Sequence, residues 1–298
     1  MRRQSLAFAV IALAAGWAPA AAATCTLGKP GTTQRVAVGN TGRSMLLRVP
    51  AKLGAPAPLL FVLHGSTGDG AAILAQSKLE ATAERHGFLL AAPDGGIPEG
   101  KGYVWNIPGV PTVTGKIPGP GDADDVAYLK AAIDWFAARG CADRSRVYAT
   151  GLSGGGRMTS WLGCVAADRF AAIAPVVGLR AGNPASAHPR FPDPASCTPS
   201  RPMPVIAFAG GKDTTNPVAG GGAPYWQYSM RRAEARWGDL NGCRRPVAEH
   251  RLAGGVIERG YAACRSGAEV VARITPEAGH VWAVDNEALW AFLSRHRR

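Results

Sequence analysis

The sequence contains no C-x-x-C pair, which removes the usual zinc and dithiol redox readings. After the first 25 residues it has no apolar run long enough to cross a bilayer, and no repeat is visible along its 298 residues. Acidic residues are scarce: 21 Asp and Glu stand against 33 Lys and Arg, a net charge of +12. Such an excess invites a nucleic-acid reading, but the arginines are scattered and no basic motif interleaved with aromatics occurs, so no nucleic-acid partner is expected. Adhesion to an anionic polysaccharide or cell wall stays open.

At the start, "MRRQSLAFAVIALAAGWAPAAAATC" combines two arginines, a short alanine-rich apolar run and a small-residue ending near Ala23. These are the parts of a secretory signal, expected over residues 1–23, with export to the periplasm or medium and no membrane attachment after cleavage. Six cysteines follow, an even number suited to disulfides in an exported chain. Six allow fifteen pairings; proximity in the chain favours Cys164 with Cys197 and Cys243 with Cys264, leaving Cys25 for Cys141.

Residues 24–298 are long enough for one large domain, expected to be a monomer. Strand-like segments, among them "LLFVLHG", "FLLAAPDG", "RVYATG", "AAIAPVVG", "PVIAFAGG" and "EVVARIT", alternate with helical ones at residues 71–86, 122–139, 155–167, 227–240 and 286–295. That alternation predicts an α/β fold: a mostly parallel central sheet with helices on both faces. "QRVAVG" and "SMLLRVP", joined by the turn residues "NTGR", predict an antiparallel edge. Two Gly- and Pro-dense stretches, residues 95–121 and 181–202, read as long loops near the ligand-binding end of the sheet.

In "RVYATGLSGGGRMTSWLG" a G-x-S-x-G pattern is centred on Ser153. A strand precedes it and a helix follows, the setting in which a sharp turn lifts a serine hydroxyl above the sheet as a nucleophile. A base and an orienting acid should follow in chain order. His280, between the last predicted strand and the last helix, suits the base, and Asp213, in a loop past a buried strand, suits the acid. The oxyanion of an acyl-transfer intermediate would take the backbone amide of Gly154 and one from the "LHGSTG" loop, that of Ser66. His64 reads as a buried structural histidine. Tyr103, Trp105 and Trp282 are candidates to line an aromatic-friendly substrate cleft.

The motifs "LHGSTGDG", "DADDVAYLKAAIDWF", "GLSGGGRMTSWL", "FAAIAPVVGL", "GGKDTTNPVAGGG" and "AGHVWAV" recur in this order in secreted esterases. The chain resembles that family of α/β-hydrolase fold, which includes poly(3-hydroxybutyrate) depolymerase catalytic domains and bacterial feruloyl esterases. The resemblance runs from about Gln34 to the last residue. It implies Ser153, Asp213 and His280 as a catalytic triad, Ser66 and Gly154 as the oxyanion hole, and Trp282 at the acyl pocket. It also implies a structural role for the paired Asp124 and Asp125, and no metal or organic cofactor.

Departures from the family pattern lie around the pocket: Ser66 for Cys, Gly154 for Asn, Ala209 for His, and Ala283-Val284 for Pro-Gly. Full depolymerases append a linker and polymer-binding domain, for which the residues after His280 leave room only for a helix. The expected activity is hydrolysis of a carboxylic ester through an acyl-enzyme, the substrate being a polyester, a hydroxyalkanoate oligomer or a plant cell-wall ester. The alternatives are acyl transfer to a sugar and a non-catalytic polymer-binding protein.

Overall fold

The computed structural model describes residues 25–298, so the expected signal segment lies outside the described residues. In chain order the elements are β1 (Thr32–Ala37), β2 (Ser44–Val49), β3 (Ala57–Leu63), α1 (Gly70–Ser77), α2 (Leu79–His86), β4 (Leu89–Pro93), β5 (Ile97–Glu99), β6 (Gly102–Val104) and α3 (Asp125–Ala138). Then come β7 (Ala142–Leu152), α4 (Gly154–Val165), β8 (Ala172–Val176), β9 (Val205–Gly210), α5 (Met230–Asn241), β10 (Arg245–Arg251), β11 (Ile257–Ala262), β12 (Val270–Thr275) and α6 (Asn286–Ser294).

Ten strands form one sheet in the order β1-β2-β4-β3-β7-β8-β9-β12-β11-β10. The strands from β4 to β12 in that order are mutually parallel, and an antiparallel pair flanks them at either end. Burial explains the central set. Every residue of β4, β8 and β9 is buried, as expected where helices cover both faces of a parallel sheet.

Along β3, Leu59, Phe61 and Leu63 enter one core cluster, while Leu60 and Val62 enter the other. The period of two thus divides one strand between two cores. α3, α4 and α5 cover the first face with Leu129, Ile133, Phe136, Met158, Leu162 and Trp237. α1, α2 and α6 cover the second with Ile73, Leu74, Leu79, Ala83, Leu289 and Phe292.

Several elements differ from the sequence expectation. The single helix expected over 71–86 is two, broken at Lys78, whose φ of 54° is left-handed; the bend lets both halves reach the same core cluster. The 95–121 stretch contains the small hairpin β5–β6. β10 and β11 extend the sheet beyond the predicted strands. β10, "RPVAEHR", is almost wholly exposed and carries no apolar alternation, so it owes its conformation to pairing with β11.

The six cysteines form Cys25–Cys141, Cys164–Cys197 and Cys243–Cys264, spanning 116, 33 and 21 residues. The first pins the chain ahead of β1 to the start of β7, and the second ties the 181–202 loop to the end of α4. Thiol titration in denaturant without reductant should therefore find no reactive groups. A Cys25→Ser, Cys141→Ser variant, followed by urea unfolding, should lose about 2–5 kcal/mol of stability.

Candidate active site

β7 runs straight into α4 with only Ser153 between them. Ser153 has φ 55° and ψ −111°, a conformation an L-residue adopts only when its surroundings impose it. Those surroundings are backbone: the Ser153 amide donates to the Val176 carbonyl at 2.9 Å, and its carbonyl accepts from Arg157 N–H at 2.8 Å. Glycines make the crossing possible. A Cβ on Gly155 would lie 2.1 Å from the Leu63 oxygen, and one on Gly151 would lie 2.6 Å from the Gly155 carbonyl.

Asp213 follows β9 and is 4 % exposed. Its Oδ1 accepts from the amides of Thr215 and Asn216, both at 2.8 Å, and its Oδ2 accepts from His280 Nδ1 at 2.8 Å. Burial opposes ionisation of this carboxyl, but the His280 hydrogen bond and the two amides outweigh it and hold Asp213 below the usual carboxylate range. With Nδ1 donating to Asp213, Nε2 of His280 is left free to accept a proton.

The two loops that carry this pair are laced together by backbone. Gly211 N–H donates to the Thr275 carbonyl and Lys212 N–H to that of Ala278, both at 2.9 Å. Gly210 leaves no room for a side chain, since a Cβ there would stand 2.2 Å from the Gly279 oxygen.

Ser153 and His280 line one open cleft of about 330 Å³ together with Ser66 and with Ala72, Ile73 and Gln76 of α1. Gly154 and Ser66 approach so closely that a Cβ on Gly154 would meet Ser66 N at 2.9 Å. Among the described residues neither amide donates to a backbone acceptor. The N–H groups of these two neighbouring residues are thus left without a backbone partner, and that of Gly154 opens a helix N-terminus, where a developing negative charge is favoured.

His64 is buried with both nitrogens engaged: Nδ1 donates to the Gly65 carbonyl at 2.7 Å, and Nε2 accepts from Gly95 N–H at 2.8 Å. Burial pushes its pKa down, so it is a neutral strut for the loop that carries Ser66. Trp105, 4 % exposed, packs on the His64 ring at 4.7 Å and donates its indole N–H to the His64 carbonyl at 2.8 Å. Tyr103 exchanges backbone hydrogen bonds with Thr67 and Gly68. Trp282 donates to Asn286 Oδ1 at 3.0 Å and leans on the α6 core cluster. None of these three aromatics lines the Ser153 cleft, but Trp105 borders the small cavity formed with Ser66 and Gly154.

Asp124 caps α3, and the buried Asp125 accepts from Arg43 and from the Asn106 amide, fixing the strand-to-helix path beneath the loop. Residues not singled out in the sequence are the α1 wall and two buried arginines, Arg157 and Arg180. Their only signal was a charge inside the otherwise apolar runs "GRMTSWL" and "VVGLRAG". No group of His, Cys, Asp and Glu that could hold a metal occurs among the described residues.

The sequence signature of the prolyl oligopeptidase family matches residues 80–180. Feruloyl esterase B of Piromyces equi is 29% identical over 246 residues, which is 80% of this chain and 42% of that protein. Poly(3-hydroxyalkanoate) depolymerase C of Paucimonas lemoignei is 36% identical over 136 residues, 45% of this chain and 31% of that one. The chain thus spans less than half the length of either relative. An acetyl xylan esterase structure from Aspergillus awamori superposes with a TM-score of 0.63 at 16% identity, covering 89% of this chain and 99% of that one. These similarities bear out the resemblance carried by the motifs, and the architecture is that of the α/β-hydrolase fold.

Because its pKa is depressed on folding, Asp213 contributes stability that is complete above its unfolded pKa of about 4 and is lost as pH falls through the folded value. The stability difference between wild type and Asp213→Asn, followed by denaturant unfolding, should be largest above pH 5 and shrink steadily on acidification below pH 4. A difference that stays constant down to pH 2 would contradict this account.

Proposed function

We propose that the protein is an exported serine hydrolase acting on carboxylic esters. The observation that carries this reading is the serine on a left-handed turn, sharing its cleft with a histidine whose far nitrogen is held by a buried carboxylate. Ser153 Oγ attacks the ester carbonyl while His280 Nε2 takes its proton, and Asp213 stabilises the imidazolium that results. The carbonyl oxygen, now carrying the negative charge, accepts from the amides of Gly154 and Ser66. His280 returns the proton to the leaving alcohol, and water repeats the sequence on the acyl-enzyme to release the acid. His280 relays each proton among Ser153, the leaving alcohol and the attacking water, so no step calls for a metal or organic cofactor.

Three disulfides support a chain that matures in an oxidising compartment, and none of the helices is long and apolar enough to cross a membrane among the described residues. The relatives named above are esterases and a depolymerase, which supports an ester as the bond cut.

Ser153→Ala should remove hydrolysis of p-nitrophenyl butyrate by a factor on the order of 10⁴ or more while its circular dichroism and Tm stay those of the wild type. Comparable activity in that variant would falsify the assignment of the nucleophile. Gly154→Ala places a Cβ against Ser66. Its kcat should fall about 10- to 1000-fold through displacement of an oxyanion donor; a change confined to KM would remove the Gly154 and Ser66 amides from the mechanism. Rates on methyl ferulate, acetylated xylan and hydroxybutyrate oligomers, compared under one condition, identify the substrate class.

A further inference from the structure

Arg157 and Arg180 are both 6 % exposed, and among the described residues neither forms an ion pair with a carboxylate. Their charges are met only by rings and neutral oxygens. Arg157 lies over Tyr225 at 4.0 Å and reaches Ser66 Oγ at 3.3 Å; Arg180 lies over Trp226 at 3.5 Å and Tyr228 at 4.1 Å. Arg180 also donates to the Leu179 and Tyr228 carbonyls at 2.7 and 2.8 Å. One nitrogen on each is left over: Nε of Arg157 and Nη2 of Arg180 are buried without a hydrogen-bond partner.

Both side chains line one small cavity of about 20 Å³, together with Tyr225 and Asn183. Burial pushes both guanidinium pKa values down to about 10, the neighbouring charge of Arg157 adding to the effect on Arg180. Both are therefore still cationic at neutral pH. Arg157 also lines a second small cavity with Ser66 and Gly154, so the two-arginine chamber adjoins the two amides beside Ser153.

A pair of like charges in a buried cavity, with a donor left on each, is complementary to one planar anion with two acceptor oxygens. We infer that Arg157 and Arg180 form a carboxylate subsite and that the ester cut at Ser153 bears a free carboxylate. The chamber is too small for more than a terminal group, which favours a carboxylate at the end of a short chain over a bulkier phosphate ester. The inference rests on the esterase reading above. The chemistry stays ordinary: water and a carboxylate-bearing ester give an alcohol and an acid, and the distal carboxylate is unchanged.

The test compares matched pairs of substrates. With the carboxylate on the acyl side, the pair is p-nitrophenyl hemiglutarate and its neutral methyl ester; on the alcohol side, it is 4-butyryloxybenzoate and 4-butyryloxybenzamide. The expected result is a kcat/KM preference of at least about tenfold for the anion in one pair, the size charged hydrogen bonds to a carboxylate supply. That preference should collapse to near unity in Arg180→Met and Arg157→Met, and should weaken with added salt. The ratio is read rather than the rate, because partial loss of folded enzyme cancels from it.

Hydrolysis of the neutral esters with no preference for the anion in either pair would sink the subsite and leave the esterase reading intact. A preference that survives both substitutions would also sink it. Failure to hydrolyse any of the four esters would overturn the esterase reading, and the subsite assignment with it.

Discussion

Gly155 rests against the carbonyls of Leu63 and His64, where a Cβ would stand 2.1 and 2.5 Å from the two oxygens. That contact sets the height at which the β7–α4 turn crosses the end of β3. Both groups of amides proposed for the oxyanion depend on it, because Ser66 follows β3 and Gly154 begins α4. The left-handed backbone of Ser153 follows from the same crossing: α4 can start only after a turn sharp enough to bring its first residues over the neighbouring strand. Strain of this kind costs on the order of 1–3 kcal/mol and persists only where packing over-determines it. Here the fixed neighbours are carbonyls of β3, buried at every position but Pro58, and of β8, buried throughout.

The proposed acid and base are held by a different device. Rather than a side-chain scaffold, main-chain bonds between the loops after β9 and β12 keep Asp213 and His280 in register. Because β9 and β12 are parallel neighbours, their carboxyl ends emerge side by side, and two loops distant in sequence meet with no further arrangement. The side chains then need only rotate into a hydrogen bond.

The legible part of the sequence was the part governed by period and by glycine. All-buried strands announced the parallel sheet, and the glycines flanking Ser153 announced a turn that excludes side chains. Chain order and strand-end position singled out His280 and Asp213, and the fold brings their side chains into one hydrogen bond. Features set by tertiary pairing were not. β10 carries Arg, Glu or His at four of its seven positions, and no local pattern distinguishes it from a loop. The break at Lys78 was equally hidden, since the residues on both sides of it are good helix formers.

Trp105 braces His64 through its indole N–H and also borders the small cavity at Ser66 and Gly154, a double placement that residue type alone does not reveal. An arginine in an apolar run is ordinarily a snorkelling surface group; only the folded geometry shows Arg157 and Arg180 buried beside a cavity.

His280 lies beyond β12, the final strand of the sheet, and β12 is inserted between β9 and the β11–β10 pair rather than added at an edge. Hydrogen bonds from strands on both sides therefore hold β12, parallel to β9 and antiparallel to β11, so the loop that leaves it with His280 starts from an interior strand instead of a free edge.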